Sequence, residues 1–273
     1  MSHTAKKWME QLPKHKMVLD PKSYRMAHPV YSMRDIETVP VTHRKPDGFR
    51  DWFARTFVRF ARGSFDLVSA YNEEKMSAQK WMTRAIFLET VAGVPGMVGG
   101  MTRHLKSLRS LKPDHGWIHN LLEEAENERM HLFIFLELKK PTPLFKAAII
   151  LTQGVFYNLY FISYMLFPKY CHRFVGYLEE EAVHTYTVML KQLDNGSIPE
   201  WSELPAPQNA REYYNLSENA KIRDVILSIR ADESIHREVN HRFADLKPNQ
   251  EMDYEEVQVV DREQTKMQEN ANK

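Results

Sequence analysis

From about residue 49 to residue 246 the apolar positions recur at steps of three and four, the spacing of helices that bury one face and leave the other polar. Glycines and prolines fall at the joints. Six helical segments follow, at roughly 49 to 70, 76 to 110, 114 to 140, 143 to 167, 169 to 194 and 217 to 245 of the 273 residues. No strand pattern alternates with them and no repeat of solenoid period appears, so the sequence predicts an all-α domain. Between the fifth and sixth segments runs a polar, proline-marked loop, "DNGSIPEWSELPAPQNAREYYN". Residues 1–48 are rich in proline and histidine without a sustained period and read as an extended arm. Residues 247–273 read as a polar tail.

Two segments depart from the pattern of a soluble bundle. "GFRDWFARTFVRFARGSFDL" sets Phe49, Trp52, Phe53, Phe57 and Phe60 among Arg50, Arg55, Arg59 and Arg62, as in a basic amphipathic helix lying in a membrane interface. Arginine stems snorkelling over a hydrophobic surface are the plainer reading. "LFKAAIILTQGVFYNLYFISYMLF" is long enough to cross a bilayer, with Lys146 its only charge, but Thr152, Gln153 and Asn158 interrupt it. A helix lying in one leaflet or packed on a partner fits it at least as well.

Composition narrows the chemistry. A net charge of +1, with no basic stripe interleaved with stacking residues, gives no footprint of nucleic-acid binding. Cys171 is the single cysteine, which excludes an intrachain disulfide and a cysteine metal cluster. Any metal ligands are then oxygen and nitrogen, and Cys171 itself reads as a small buried hydrophobe. The N-terminus has no apolar run of signal-peptide length and only weakly resembles a transit peptide.

The candidate chemistry lies on apolar helical faces. Glu128 and His131 stand one turn apart on the face of Leu121, Ala125, Leu132 and Phe135; Glu233 and His236 repeat the spacing behind Ile222, Val225, Ile226 and Ile229. Glu89 shares its face with Ala85, Ala92, Gly93 and Gly96, small residues that let a neighbouring helix approach. In "LEEEAVHTYT" the stripe Val175, Leu178, Ala182, Tyr186 and Met189 passes through Glu179, with Glu180 the alternative. Four glutamates from four helices and two histidines in Glu-x-x-His pairs form the ligand set of a di-iron or di-manganese centre in a ferritin-like four-helix bundle. Two divalent cations balance four carboxylates that would otherwise repel or take up protons. Asp232 can accept the free ring N–H of a ligand histidine. Glu181 and His184 share the spacing but lie off the stripe. His104, His115, His119 and His172 read as surface or structural residues.

"LETVAGVPGMVGGM", "NERMHL", "LEEEAVHTYT" and "RADESIHREVNH", in this order, resemble the four signature segments of the alternative oxidases, di-iron quinol oxidases of mitochondria and some bacteria. The resemblance covers most of residues 50–246. It implies a cyanide-resistant oxidase that pumps no protons, oxidises ubiquinol and reduces O2 to water. It implies two iron ions, in preference to manganese, held by Glu89, Glu128, His131, Glu179, Glu233 and His236. Tyr186 falls on the family's redox tyrosine, and Arg84, Leu88, Ala182 and Thr185 on its quinol pocket. A homodimer on one leaflet of the mitochondrial inner membrane, facing the matrix and seated through the segments near 49–70 and 143–167, is implied as well. The regulatory cysteines of plant-type relatives are absent. A di-iron hydroxylase or desaturase acting on a lipid, an iron-storage shell, and a metal-free membrane scaffold are the competing readings of the same ligands and helices.

Overall fold

The computed structural model describes His28, residues 30–247 and Gln250. Among these, eight α-helices account for nearly all regular structure: α1 (Met33–Glu37), α2 (Gly48–Val68), α3 (Ala78–Ser110), α4 (Trp117–Leu138), α5 (Pro143–Leu166), α6 (Pro168–Asp194), α7 (Gln208–Tyr214) and α8 (Ile222–Asp245). One 3-10 turn, Pro199–Trp201, and one antiparallel bridge between Pro205 and Lys221 complete it. The expected all-α bundle is thus what forms, with each of the six long helices within a few residues of its sequence-based bounds. Stop signals explain the agreement. Ser77 caps α3 by accepting from the Lys80 amide, Thr142 caps α5 by accepting from the Phe145 amide, and prolines open α5 and α6. Helices α1 and α7 lie inside segments read as arm and loop. At five and seven residues they are too short to show a period.

The core is two tightly packed helix pairs, α3 with α4 and α6 with α8; the pairs stand further from each other than the helices within each. Glycine permits the close approaches. A Cβ at Gly96 would lie 2.5 Å from the Leu121 carbonyl oxygen, and one at Gly176 would lie 2.5 Å from His241 Nδ1. Helix α2 lies along α6, and α5 packs on α3 and α6. Both turn apolar rows outward: Phe49, Trp52, Phe57 and Phe60 on α2, and Leu144, Ile150, Leu151, Leu159 and Ile162 on α5. Helices α3 and α5 are long and apolar enough to cross a bilayer, but α3 is half buried in the bundle whereas little of α5 is.

Ahead of α2 the chain runs along α8. Ile36 is buried, and arginines of α8 donate to the arm's carbonyls, Arg230 Nη2 to Ile36 at 2.8 Å and Arg237 Nη1 to Pro40 at 3.0 Å. Arg173 of α6, fully buried, joins three helices: its Nε lies 3.0 Å from Asp51 Oδ2, its Nη1 donates to His241 Nδ1 at 2.9 Å, and it pairs with Asp245.

Candidate metal centre

Helix α3 places Glu89, α4 places Glu128 and His131, α6 places Glu179, and α8 places Glu233 and His236 in the gap between the two helix pairs. All six are buried, His131 completely. The i, i+3 spacing sets each Glu–His pair on one face, and the apolar neighbours on that face turn it inward. Met130, Ile134 and Phe135 of α4 and Ile229 of α8 belong to the same buried core, which keeps the cluster dry.

The ligating atoms form two quartets, Glu89, Glu128, His131 and Glu233 in one, Glu128, Glu179, Glu233 and His236 in the other, each with its atoms within 4.8 Å of one another. Glu128 and Glu233 belong to both. Two adjacent groups that could each hold a cation result, sharing two carboxylates and each adding one further Glu and one His. Sequence reading brought together these same six residues.

The cluster's own hydrogen bonding tests whether it suits metal. Nδ1 of His131 has three carboxylate oxygens around it, Glu233 Oε1 at 3.4 Å, Glu89 Oε2 at 3.5 Å and Glu128 Oε2 at 3.6 Å, and bonds to none of them. Nδ1 of His236 lies 2.9 Å from Glu128 Oε1, a hydrogen-bond distance without hydrogen-bond alignment, so both atoms are left unpaired. Glu89 Oε2 and Glu128 Oε2 are orphaned as well. Buried polar atoms without partners are costly. Here they point at common centres instead of at one another, which is what cation ligands do, and the residues fit a pair of divalent metals of the oxygen- and nitrogen-preferring kind.

Electrostatics agrees. Burial by itself raises both carboxyls, yet Glu128 is held well below the usual range by His131 and His236. Glu179 is pushed well up by burial and then by the charges of Glu233 and Glu128. Carboxyls of one cage are thereby pushed in opposite directions, a conflict that two dications would remove.

The surroundings of the two halves differ. Beside Glu89 and His131, the Tyr186 hydroxyl donates to Glu89, its ring parallel to that of Phe135 at 6.5 Å. His131 Nε2 donates to Asp232 Oδ2 at 2.9 Å, which leaves the Nδ1 lone pair facing the cage. Asp232 accepts further from Asn127 Nδ2 at 2.9 Å, the Tyr214 hydroxyl at 2.7 Å, His28 Nε2 at 2.8 Å and the Tyr31 hydroxyl. Beside Glu179 and His236 stands Glu124, a further buried carboxyl that accepts from Asn240 Nδ2 at 2.7 Å and that burial pushes up to about 7. Asn240 also donates to the His236 carbonyl at 3.0 Å.

Of the neighbouring candidates, Glu180 is buried away from the cage, accepting from His241 Nε2 at 2.9 Å and from the Arg44 amide at 2.7 Å. Glu181 pairs with Arg62, and His184 lies 3.4 Å from Glu73. Arg84 is buried under the end of α2, where it pairs with Asp66, donates to Ser69 Oγ at 2.9 Å and stacks its guanidinium over Tyr71 at 4.3 Å. Thr185 is buried and donates to the Glu181 carbonyl at 2.7 Å, while Leu88 and Ala182 are half-buried. Cys171 is buried with its thiol pushed up to about 12 by desolvation, so it is an unreactive core residue. His172 is buried too, between Tyr164 and Asn240. Sequence reading missed Asn127, Glu124, Tyr214, His28 and Tyr31. Only Asn127, beside Glu128, and Glu124, one turn before it, stand next to a sequence signal.

Comparison with known proteins places this geometry. A sequence model of the family described as alternative oxidase matches residues 31–245. Similar curated proteins include the mitochondrial alternative oxidase of Aspergillus niger, 49% identical over 237 residues that make up 83% of this chain and 67% of that protein. That of Trypanosoma brucei brucei is 51% identical over 218 residues, 80% of this chain and 66% of its own. That of Ajellomyces capsulatus is 45% identical over 263 residues, 90% of this chain and 74% of its own. The chain thus spans about two thirds of the length of the first two and about three quarters of the third.

Proposed function

Since the chain belongs to the alternative oxidase family, we propose that it is a ubiquinol oxidase that reduces O2 to water without pumping protons, with two iron ions held by Glu89, Glu128, His131, Glu179, Glu233 and His236. The observation that carries the proposal is the pair of overlapping quartets that share Glu128 and Glu233. Iron held there would supply the reversible one-electron chemistry that O2 reduction needs. Each ubiquinol gives two electrons and two protons, and O2 takes four of each to form two waters, so two quinols are oxidised per O2.

The chain's residues divide the remaining work. Glu128 and Glu233, which belong to both groups, would hold both metals, and Asp232 fixes the tautomer of His131. Tyr186 holds its phenolic proton against Glu89, where it is placed to give up a proton and an electron during turnover. Arg84 and Leu88 precede Glu89 on α3, and Ala182 and Thr185 follow Glu179 on α6. They therefore flank the cage, and we assign them to the quinol headgroup. The apolar wall of Met130, Ile134 and Phe135 excludes water from the reacting oxygen. This is why the segment "NERMHLFIFLEL" joins ligands directly to large apolar residues.

Seating on one leaflet is supported by the outward rows of α2 and α5, with half-buried Arg55 and exposed Arg59 beside the aromatics of α2. A second exposed row, Met97, Met101, Leu105 and Leu108 on α3, supports a homodimer contact. The relatives carry mitochondrial names, and we place this chain on the matrix side of the inner membrane.

The test is O2 consumption by the purified chain in lipid, with ubiquinol as sole reductant, cyanide present and Glu128→Ala as control. Uptake by the wild type, lost in the control, is expected. A chain that carries two irons and ignores ubiquinol would leave the cage standing and overturn the assigned substrate.

A further inference from the structure

Asp232 accepts from five donors, although a carboxylate offers about four lone-pair sites. Three of these donors come from the bundle and its capping helix: His131, Asn127 and Tyr214. The other two, His28 and Tyr31, come from the segment ahead of α1, some 200 residues away in sequence (204 for His28). They occupy Oδ1, while His131 takes Oδ2. The His28 side chain is 5% exposed and Asp232 is 1% exposed, so bulk water does not substitute for a lost donor on Oδ1.

The segment that delivers His28 and Tyr31 is strapped down beyond them. Arg230 Nη2 donates to the carbonyls of Ile36 at 2.8 Å and Glu37 at 3.2 Å, Arg237 Nη1 to that of Pro40 at 3.0 Å, and Arg44 pairs with Asp245 at 2.8 Å. From 230 to 245 an α-helix rises about 22 Å. Three successive anchors along this rise, at Arg230, Arg237 and Asp245, fix where the strap begins, beside Asp232. Arg230 and Arg237 are buried where they hold the strap, whereas the last anchor, Arg44–Asp245, is exposed.

We propose that His28 and Tyr31 are positioning residues of the metal centre, acting through Asp232 to hold His131 with Nδ1 toward the cage, so that the strap completes the Glu89–His131 half of the site. The proposal rests on the metal reading above. It is specific, because both residues bond to Asp232, and Asp232 bonds to His131 of the Glu89 half. Loss of the strap's two donors weakens one cation position and spares the other, whereas general loosening of the bundle weakens both.

The test is an anaerobic titration of the full metal-free chain with Co2+, followed by the visible absorption of the bound ion. The wild type is expected to take up two ions per chain. In Tyr31→Phe/His28→Leu one of the two should bind about 10- to 100-fold more weakly, the usual effect of removing an outer hydrogen-bond partner, with the other unchanged. His28→Gln, whose amide keeps a donor in place of Nε2, should stay close to wild type. Should the double variant not fold, Tyr31→Phe alone, which removes one oxygen atom, is read the same way. Two unaltered sites, or two equally weakened ones, would overturn the proposal. A wild type that binds no Co2+ would instead sink the metal reading itself, and the two failures are thereby told apart.

Discussion

Gly96→Ala tests the claim that α3 and α4 meet backbone to backbone and that the cage depends on their separation. The added Cβ would lie 2.5 Å from the Leu121 carbonyl oxygen, 3.0 Å from the Ala125 amide nitrogen and 3.2 Å from the Ala125 Cβ. Two of these are main-chain atoms of α4, so no rotamer change relieves the contact. Non-bonded carbon contacts are comfortable at about 3.5 Å or more, so the helices must part by roughly 1 Å. Overpacking of this severity costs about 3 kcal/mol. Alanine's better helix propensity returns about 1 kcal/mol, leaving a net loss of about 2 kcal/mol, or a Tm lower by roughly 4–8 °C in a domain of this size. Gly96 lies two turns beyond Glu89 and rests on the turn before Glu128, so the displacement reaches the ligands. A shift of about 1 Å in catalytic geometry lowers turnover on the order of 100-fold. Gly93→Ala, whose nearest contacts are 3.4 and 3.6 Å, and Gly63→Ala, with nothing within 4 Å, form a graded control series. Thermal unfolding by circular dichroism, paired with O2 uptake, reads both effects. If Gly96→Ala melts no lower than Gly93→Ala, the backbone contact does not exist as described and the reasoning fails.

Two further predictions concern buried charge. His172 is held neutral, burial pushing it down to about 4, so its folded pKa lies below the unfolded value of about 6.5. The stability it contributes is present above pH 6.5 and lost as pH falls toward 4; wild type should lose about 3 kcal/mol more over that range than His172→Gln in urea unfolding, and parallel losses would refute the buried neutral imidazole. Arg173→Met leaves Asp51 buried with only Arg50 as cation, at 3.0 Å, and should destabilise the fold by about 3 kcal/mol, the low end for breaking a buried pair. Adding Asp51→Leu should recover more than half of that loss. A double variant no better than the single one would show that the ion cluster does not pin α2 to the bundle.

Much of the candidate site was readable because each of its ligands sits on a long amphipathic helix. A carboxylate on an apolar stripe is conspicuous, and the i, i+3 pairing of Glu128 with His131 and of Glu233 with His236 survives folding unchanged. Helix bounds were readable for the same reason, since many turns of consistent period end at proline or at a capping side chain. Short elements escaped. Helix α7, which supplies Tyr214 to Asp232, has seven residues in a loop rich in proline. The strap has no period at all, because its carbonyls are paired by arginines of α8 rather than by a neighbouring strand. Reading a single stripe also assumes an exposed opposite face. Helix α6 has little of one, being covered by α2, α5 and α8, so Glu180 and Arg173 are buried off the stripe with polar partners of their own.

The asymmetry of the centre was the least legible part, and the reason is physical. Periodicity assigns Glu89 and Glu179 equivalent places, and His131 and His236 likewise, because it registers only which face a residue occupies. What separates the halves is supplied by groups distant in sequence. Tyr186 and the five-donor carboxylate Asp232 serve one half, and Glu124 with Asn240 serves the other. A phenol and a fully bonded anion hold the first half in fixed geometry, whereas a buried carboxyl that burial pushes up to about 7 leaves the second with a group able to keep a proton near neutral pH. Reduction of O2 to water needs both a rigid pair of metals and protons close at hand. The two halves, alike in ligands, differ in which of these needs their surroundings meet.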